Sequence, residues 1–291
     1  MTTPILIAGP TAAGKTALAL EMAARHGGAI INADSMQVYG ELRILTARPT
    51  PDEEKVAPHH LFGHVSVTDA YSVGRWVADV EAALAACRDA GLRPIIVGGT
   101  GLYFKALLEG LAPVPPVDAD IRTRWRREAE KQAPGVLHGI LASRDPEMAA
   151  RLKRADLQRI VRALEVLDST GVSLAEWQRM RGTPLVLEAE AECYVILRDR
   201  DAVRARCDAR FDAMVATGAL EEARALAAVD LDPELPAARA HGLRALQSYL
   251  RGEIDIESAI ATGKLETRQY VKRQETWLKK YMIAWKYIVT Q

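Results

Sequence analysis

Eight residues near the N-terminus, Gly9-Pro10-Thr11-Ala12-Ala13-Gly14-Lys15-Thr16, restrict this chain to a small group of folds. They follow a short apolar run, Ile5 to Ala8, and open a helix-like stretch, Ala17 to Ala24. A strand, a glycine-rich loop and a helix in that order form a phosphate cradle. Glycines at its first and sixth positions let backbone N–H groups turn inward, Lys15 adds a point charge, and the Thr16 hydroxyl reaches a magnesium ion. All eight residues are therefore expected to bind a di- or triphosphate. The pattern does not say whether that phosphate belongs to ATP.

The chain around the cradle alternates strand-like and helix-like segments, as a parallel α/β sheet requires. Ala29 to Ala33 reads as a strand ending at Asp34-Ser35, and Leu61 to Val67 as a further candidate. Ser72 to Ala90 has a helical apolar face of Trp76, Val77, Val80, Leu84 and Cys87. Pro94 to Val97 reads as a buried strand, and Gly98-Gly99-Thr100-Gly101 leads from it into a helix over Leu102 to Leu108. Ligands of such folds sit beyond the carboxyl ends of the strands, so Asp34 and Thr100 are expected beside the cradle.

A stiff hinge, Pro113-Val114-Pro115-Pro116, marks a change of character, and no strand pattern appears between Asp118 and Met180. Helical signals replace it: Asp120 to Lys131, a cap and first turn at Asp145-Pro146, Asp156 to Leu167, and a capping box Ser173-Leu174-Ala175-Glu176. Cys193 to Leu197 restores a strand, and everything after Asp201 reads as helix. The expected fold is α/β: a P-loop-containing parallel sheet core flanked by helices, residues 1–114 and 191–291, with an all-helical insertion over residues 115–190.

Composition narrows the partners. Lysines and arginines number 38, as do aspartates and glutamates, so nucleic-acid contact must come from local patches instead of a global field. The three cysteines, Cys87, Cys193 and Cys207, lie far apart, which argues against a zinc ribbon or a disulfide framework. His60 and His64 are four residues apart, but Pro58 and Gly63 disfavour a helix there and no third metal ligand accompanies them. No apolar run approaches the length of a membrane span, and a cytoplasmic protein without membrane association is expected.

Several blocks, read in order, carry a family resemblance across nearly the whole chain. Gly9 to Thr16, Asp34-Ser35-Met36-Gln37-Val38-Tyr39, Thr46-Ala47-Arg48-Pro49, Pro58-His59-His60-Leu61 and Val97 to Tyr103 resemble the bacterial tRNA dimethylallyltransferases. Arg162-Ala163-Leu164-Glu165-Val166 and Lys272-Arg273-Gln274-Glu275-Thr276-Trp277 match in the same order. The resemblance implies transfer of a five-carbon dimethylallyl group from dimethylallyl diphosphate to the exocyclic N6 amine of the adenosine 3′ of the anticodon in tRNA. It further implies Mg2+ as cofactor, held by Thr16, and the tRNA anticodon stem-loop as partner of the helical insertion. A monomer is expected.

The same resemblance assigns individual residues. It places Asp34, Thr16, Lys15 and Arg210 in catalysis, with Asp34 as the proton acceptor. It places Asp34, Ser35, Met36, Gln37 and Thr100 at the target nucleotide. Along the RNA it places Arg122, the run Gln158, Arg159, Ile160, Val161 and Arg162, the run Arg239, Ala240, His241, Gly242, Leu243 and Arg244, and the run Lys272, Arg273, Gln274, Glu275, Thr276, Trp277, Leu278 and Lys279. One departure stands out: members commonly carry Ile-Gly-Tyr-Arg where this chain has His241-Gly242-Leu243-Arg244.

The chemistry suits these residue types. Breaking an allylic carbon–oxygen bond throws charge onto the departing diphosphate, which a cradle with Lys15 stabilises as it develops. An adenine amine is too weak an acid to ionise beforehand, so a carboxylate must take its proton as the new bond forms. Other readings stay open on sequence alone. Asp34 also suits a turn cap, Arg210 a solvated helix face, and the glycines around Thr100 a plain tight turn; a small-molecule kinase would use the same cradle for ATP.

Overall fold

A computed structural model describes residues 2–229 and 231–290. Six strands, β1 (Ile5–Ala8), β2 (Gly28–Asn32), β3 (His59–His60), β4 (Arg93–Gly98), β5 (Glu192–Arg198) and β6 (Lys286–Thr290), form one sheet in the order β3-β2-β4-β1-β5-β6. Every pairing in it is parallel. Both faces of β1 are buried, and the period of two decides which side each residue serves. Ile5 and Ile7 pack with Ile30, Ile95 and Val97 against Ala19 and Ala23 of α1 (Lys15–His26). Leu6, Ile31 and Ile96 face the other way, toward Trp76 and Val80 of α2 (Val73–Asp89) and Phe104 of α3 (Gly101–Glu109).

Two units make up the chain, residues 1–108 with 185–291, and residues 109–184. These boundaries fall before the positions that the Pro113–Pro116 hinge suggests. The first unit closes on itself where the Leu185 N–H donates to the Leu107 carbonyl at 2.9 Å. The second closes where Gly182 packs so tightly on Leu111 that a Cβ there would lie 2.4 Å from the Leu111 carbonyl oxygen. The chain thus crosses between the units ahead of the prolines, after Leu108, and again after Pro184, ahead of the expected return at residue 191. Residues 109–184 hold α4 (Ala119–Lys131), α5 (Pro134–Arg144), α6 (Pro146–Arg151), α7 (Leu157–Thr170) and α8 (Leu174–Trp177) around Trp125, Leu137, Leu141, Ile160 and Leu164.

Three local expectations need correction. Leu61 to Val67 is not a strand: Leu61 and Gly63 take positive φ of 65° and 58°, which breaks extended backbone, so pairing stops at His60 and a single bridge joins Val65 to Tyr39. Ser173 caps α8 by accepting from the Ala175 N–H, without the reciprocal Glu176 bond. The chain after Asp201 is not wholly helical. After α9 (Arg200–Ala216), α10 (Ala219–Ala227), α11 (Leu243–Leu250) and α12 (Ile256–Tyr281), the last strand β6 pairs with β5 at the sheet edge.

Candidate active site

The cradle joins β1 to α1. Its first glycine is required by proximity, since a Cβ on Gly9 would lie 2.7 Å from the Ile196 carbonyl oxygen. Its second is required by conformation, because Gly14 caps α1 at φ 103°. Lys15 Nζ donates to the Pro10 carbonyl at 2.8 Å, folding the side chain back over the loop. Burial pushes its pKa down to about 8, with Asp34 opposing the shift and Arg210 adding to it. Thr16 is exposed on the first turn of α1, at the end where backbone amides favour anions.

Asp34 lies two residues beyond the end of β2. Its Oδ1 accepts from the Met36 N–H at 2.9 Å, and Asn32 holds its main chain on both sides. Thr100 sits opposite and accepts the Ser35 N–H on Oγ1 at 2.9 Å. The glycines flanking Thr100 do not take positive φ; they are there because neighbours leave no room. A Cβ would lie 2.1 Å from the Ala33 carbonyl at Gly98, 2.1 Å from Gln274 Nε2 at Gly99, and 2.2 Å from the Trp277 ring at Gly101.

Arg210 enters from α9 and is not a solvated arginine. Burial lowers its pKa, opposed by the nearby Asp34 carboxylate, and its Nε is buried without a hydrogen-bond partner among the described residues. The helix behind it is keyed in place: a Cβ on Gly242 or Gly263 would lie 2.4 Å or 2.0 Å from the Phe211 ring. Lys15, Thr16, Asp34, Met36, Gln37 and Arg210 line one cavity of about 320 Å³, together with Cys207, His241 and Tyr270. The Gln37 amide donates to the carbonyls of Thr46 and Ala47, both at 2.9 Å.

The runs assigned to RNA contact divide by burial. On α7, Gln158 and Arg159 are exposed and Arg162 is partly so, whereas Ile160 and Val161 are buried in the insertion's core, as helical periodicity demands of a contiguous run. Arg122 is exposed on α4. Ala240 and Leu243 are buried, the Gly242 N–H donates to Glu266, and Arg244 donates to the carbonyls of Ala238 and Pro233. Arg239 lies 3.4 Å from Glu234, and His241 leans on Tyr270 with ring centroids 4.8 Å apart. Along α12, Lys272, Arg273, Thr276 and Lys279 are exposed, Glu275 and Trp277 are partly buried, and Gln274 and Leu278 are buried. Ile160, Val161, Leu243, Gln274 and Leu278 are therefore packed against protein, and Ala240 is buried at the wall of the cavity.

Gln274, expected along the RNA, is tied to the cradle instead, and Tyr270 joins the site from the same helix. Gln274 accepts the Thr11 N–H at 2.9 Å and donates to the Gly99 carbonyl at 3.0 Å, clasping the two glycine loops together. Tyr270 precedes it by one helical turn and faces the same cavity. Their four-residue spacing on one helix was the available signal.

Residues 37–281 match the family described as IPP transferase, and residues 3–59 match isopentenyl transferase. A tRNA dimethylallyltransferase of Azorhizobium caulinodans is 53% identical over 281 residues, covering 97% of this chain and 90% of that one. One from Parvibaculum lavamentivorans is 50% identical over 287 residues, covering 99% and 91%. The crystal structure of the full-length tRNA isopentenylpyrophosphate transferase from Bacillus halodurans is similar at a TM-score of 0.71 and 29% identity, covering 99% of this chain and 90% of that one. A eukaryotic dimethylallyltransferase, seen in crystallographic snapshots acting on tRNA, gives a TM-score of 0.85 at 27% identity, covering 99% and 74%. With a family match across most of its length and relatives 50% and 53% identical over 99% and 97% of it, the chain belongs to the tRNA dimethylallyltransferases.

Proposed function

We propose that this protein, acting as a monomer, transfers the dimethylallyl group of dimethylallyl diphosphate to the N6 amine of the adenosine 3′ of the anticodon in tRNA and releases diphosphate. The observation that carries this reading is the convergence of Arg210, with its buried unpartnered Nε, on the cavity that holds Lys15 and Asp34. A buried donor without a partner is costly, and a polyanion placed between Arg210 and Lys15 removes that cost for both.

The diphosphate leaves into the cradle. Backbone N–H groups at the start of α1, Lys15 and Arg210 take up the charge that develops as the allylic carbon–oxygen bond lengthens. The adenine N6 attacks that carbon, and Asp34 accepts its proton as the carbon–nitrogen bond forms. The donor set suits magnesium: Thr16 offers an exposed hydroxyl on the cavity wall, and Mg2+ is held by few protein oxygens plus substrate phosphates instead of an all-protein cage. Thr16 would hold the ion, which neutralises diphosphate charge when bound.

Exposed Lys272, Arg273 and Lys279 of α12 suit contact with the RNA backbone, and Arg122, Arg159 and Arg162 suit the same task in the insertion. A kinase spending ATP in this cradle is not favoured by the family, and β4 ends at Gly98 and runs into Gly99-Thr100 with no carboxylate for a nucleotide-bound metal. The test is mass spectrometry of tRNA nucleosides after incubation with dimethylallyl diphosphate. Prenylated adenosine is expected in wild type, with Asp34→Asn lowering turnover by about 10²- to 10⁴-fold at nearly unchanged tRNA affinity. Cleavage of ATP with the RNA left unmodified would overturn the reading.

A further inference from the structure

We propose that Asn32 is the positioning residue for the proton acceptor Asp34. The inference rests on the assignment of that role to Asp34. Asn32 ends β2 with 0% exposure. Its Oδ1 accepts the Asp34 N–H at 2.8 Å, while its Nδ2 donates to the Asp34 carbonyl at 2.9 Å and to the Leu61 carbonyl at 3.0 Å. Both donors of the side-chain amide are spent, and no other side chain of similar size offers two donors and an acceptor from one planar group.

Those bonds act on the carboxylate through the backbone. With its N–H and its carbonyl both held, Asp34 has little freedom left in φ and ψ, and the bond from the Met36 N–H to Oδ1 settles its side chain. Among the described residues no hydrogen bond reaches Oδ2, so one oxygen is kept as an anchor and the other is left for a substrate proton. The main chain of Asn32 is fixed in turn, because its carbonyl accepts Trp76 Nε1 at 2.9 Å. Trp76 is itself buried and stacked on Tyr103 at 4.3 Å.

The third bond gives the Pro58-His59-His60-Leu61 block a task. Leu61 adopts φ 65°, which turns the chain after β3 and presents its carbonyl to Asn32. The edge strand and the catalytic loop are thereby set to each other through one amide.

A double-mutant cycle tests the role. Asn32→Ala is expected to lower kcat for tRNA prenylation by about 10- to 100-fold, the cost of a misplaced reacting group, with KM for both substrates within about 3-fold. In an Asp34→Asn background the same substitution is expected to cost less than about 3-fold further, because the group it positions is already lost. Equal losses in the two backgrounds, or an undiminished kcat, would overturn the proposal. Full activity of Asp34→Asn alone would instead remove the parent assignment.

Should Asn32→Ala fail to fold, the near-isosteric Asn32→Asp decides. It keeps the acceptor for the Asp34 N–H but removes both donors, the one to the Asp34 carbonyl and the one to the Leu61 carbonyl. Its kcat is then expected to fall by about 10-fold or more with KM within about 3-fold, and to fall by less than about 3-fold in the Asp34→Asn background. Equal losses in the two backgrounds would overturn the proposal.

Discussion

The side chain of Gln274 holds the amide of Thr11, 263 residues earlier in the sequence, at 2.9 Å. One cradle N–H is thus spent on α12 and fixes the loop's shape before any phosphate arrives. Gln274→Ala strips this bond and the one to Gly99, leaving partly buried groups unpaired at about 1–3 kcal/mol. A lower Tm and a raised KM for dimethylallyl diphosphate are expected, with a smaller effect on tRNA affinity. An unchanged Tm would show that the clasp contributes nothing.

Lys15 has the opposite relation to stability. Its pKa falls from 10.5 to about 8 on folding, so between those values the unfolded chain binds the extra proton and stability rises with pH. Below about pH 8 the penalty is fully present, up to about 3 kcal/mol for a shift of this size. Lys15→Met should therefore raise the Tm of the ligand-free protein at pH 7 while abolishing turnover. The gain should shrink as pH climbs toward 10.5, and a gain that ignores pH in thermal melts would contradict the account.

Two glycines should respond in opposite directions. Gly98→Ala drives a Cβ to 2.1 Å from the backbone of Ala33, which cannot swing aside, and should cost about 3 kcal/mol. Gly139 is exposed within α5 and a Cβ there meets nothing within 4 Å, so Gly139→Ala should stabilise by about 0.5–1 kcal/mol. Denaturant titration of the two variants reads both signs.

Asp168 braces the insertion. Its side chain is 9% exposed, pairs with Arg124 and Arg144, and accepts Trp125 Nε1 at 2.8 Å. Burial alone would raise its pKa, but the bonds from Arg144 and Trp125 and the two guanidiniums prevail and hold it below the ordinary carboxylate range. A depressed carboxylate stabilises above its unfolded pKa and loses that contribution as pH falls through the folded one. Asp168→Asn should cost about 1–3 kcal/mol at pH 7, and the deficit should close below about pH 4 in urea titrations.

Residues that chemistry demands by type could be read from the chain alone. The cradle, Asp34 and the Gly98–Gly101 loop are short blocks in which each residue is dictated by a neighbour a few positions away. Asn32, Gln274 and Tyr270 were not legible in this way, because their meaning arises only where β2, β4 and α12 meet. Contiguous runs carried over as RNA contacts, such as Gln158 to Arg162, overlooked the 3.6-residue period that sends Ile160 and Val161 into the core. β6 escaped because Lys286–Thr290 is an edge strand at the end of the chain, with no turn signal setting it apart from the helix before it.

The Phe211 ring, lodged between Gly242 and Gly263, ties the fates of three distant codons together. A methyl group at either glycine leaves no space for a phenyl ring, so drift at one position is open only to lineages that have first shrunk the side chain at 211. Divergent members of the lineage should therefore exchange bulk between positions 211 and 263 in concert, conserving their summed volume, while 242, held at φ 81°, stays glycine.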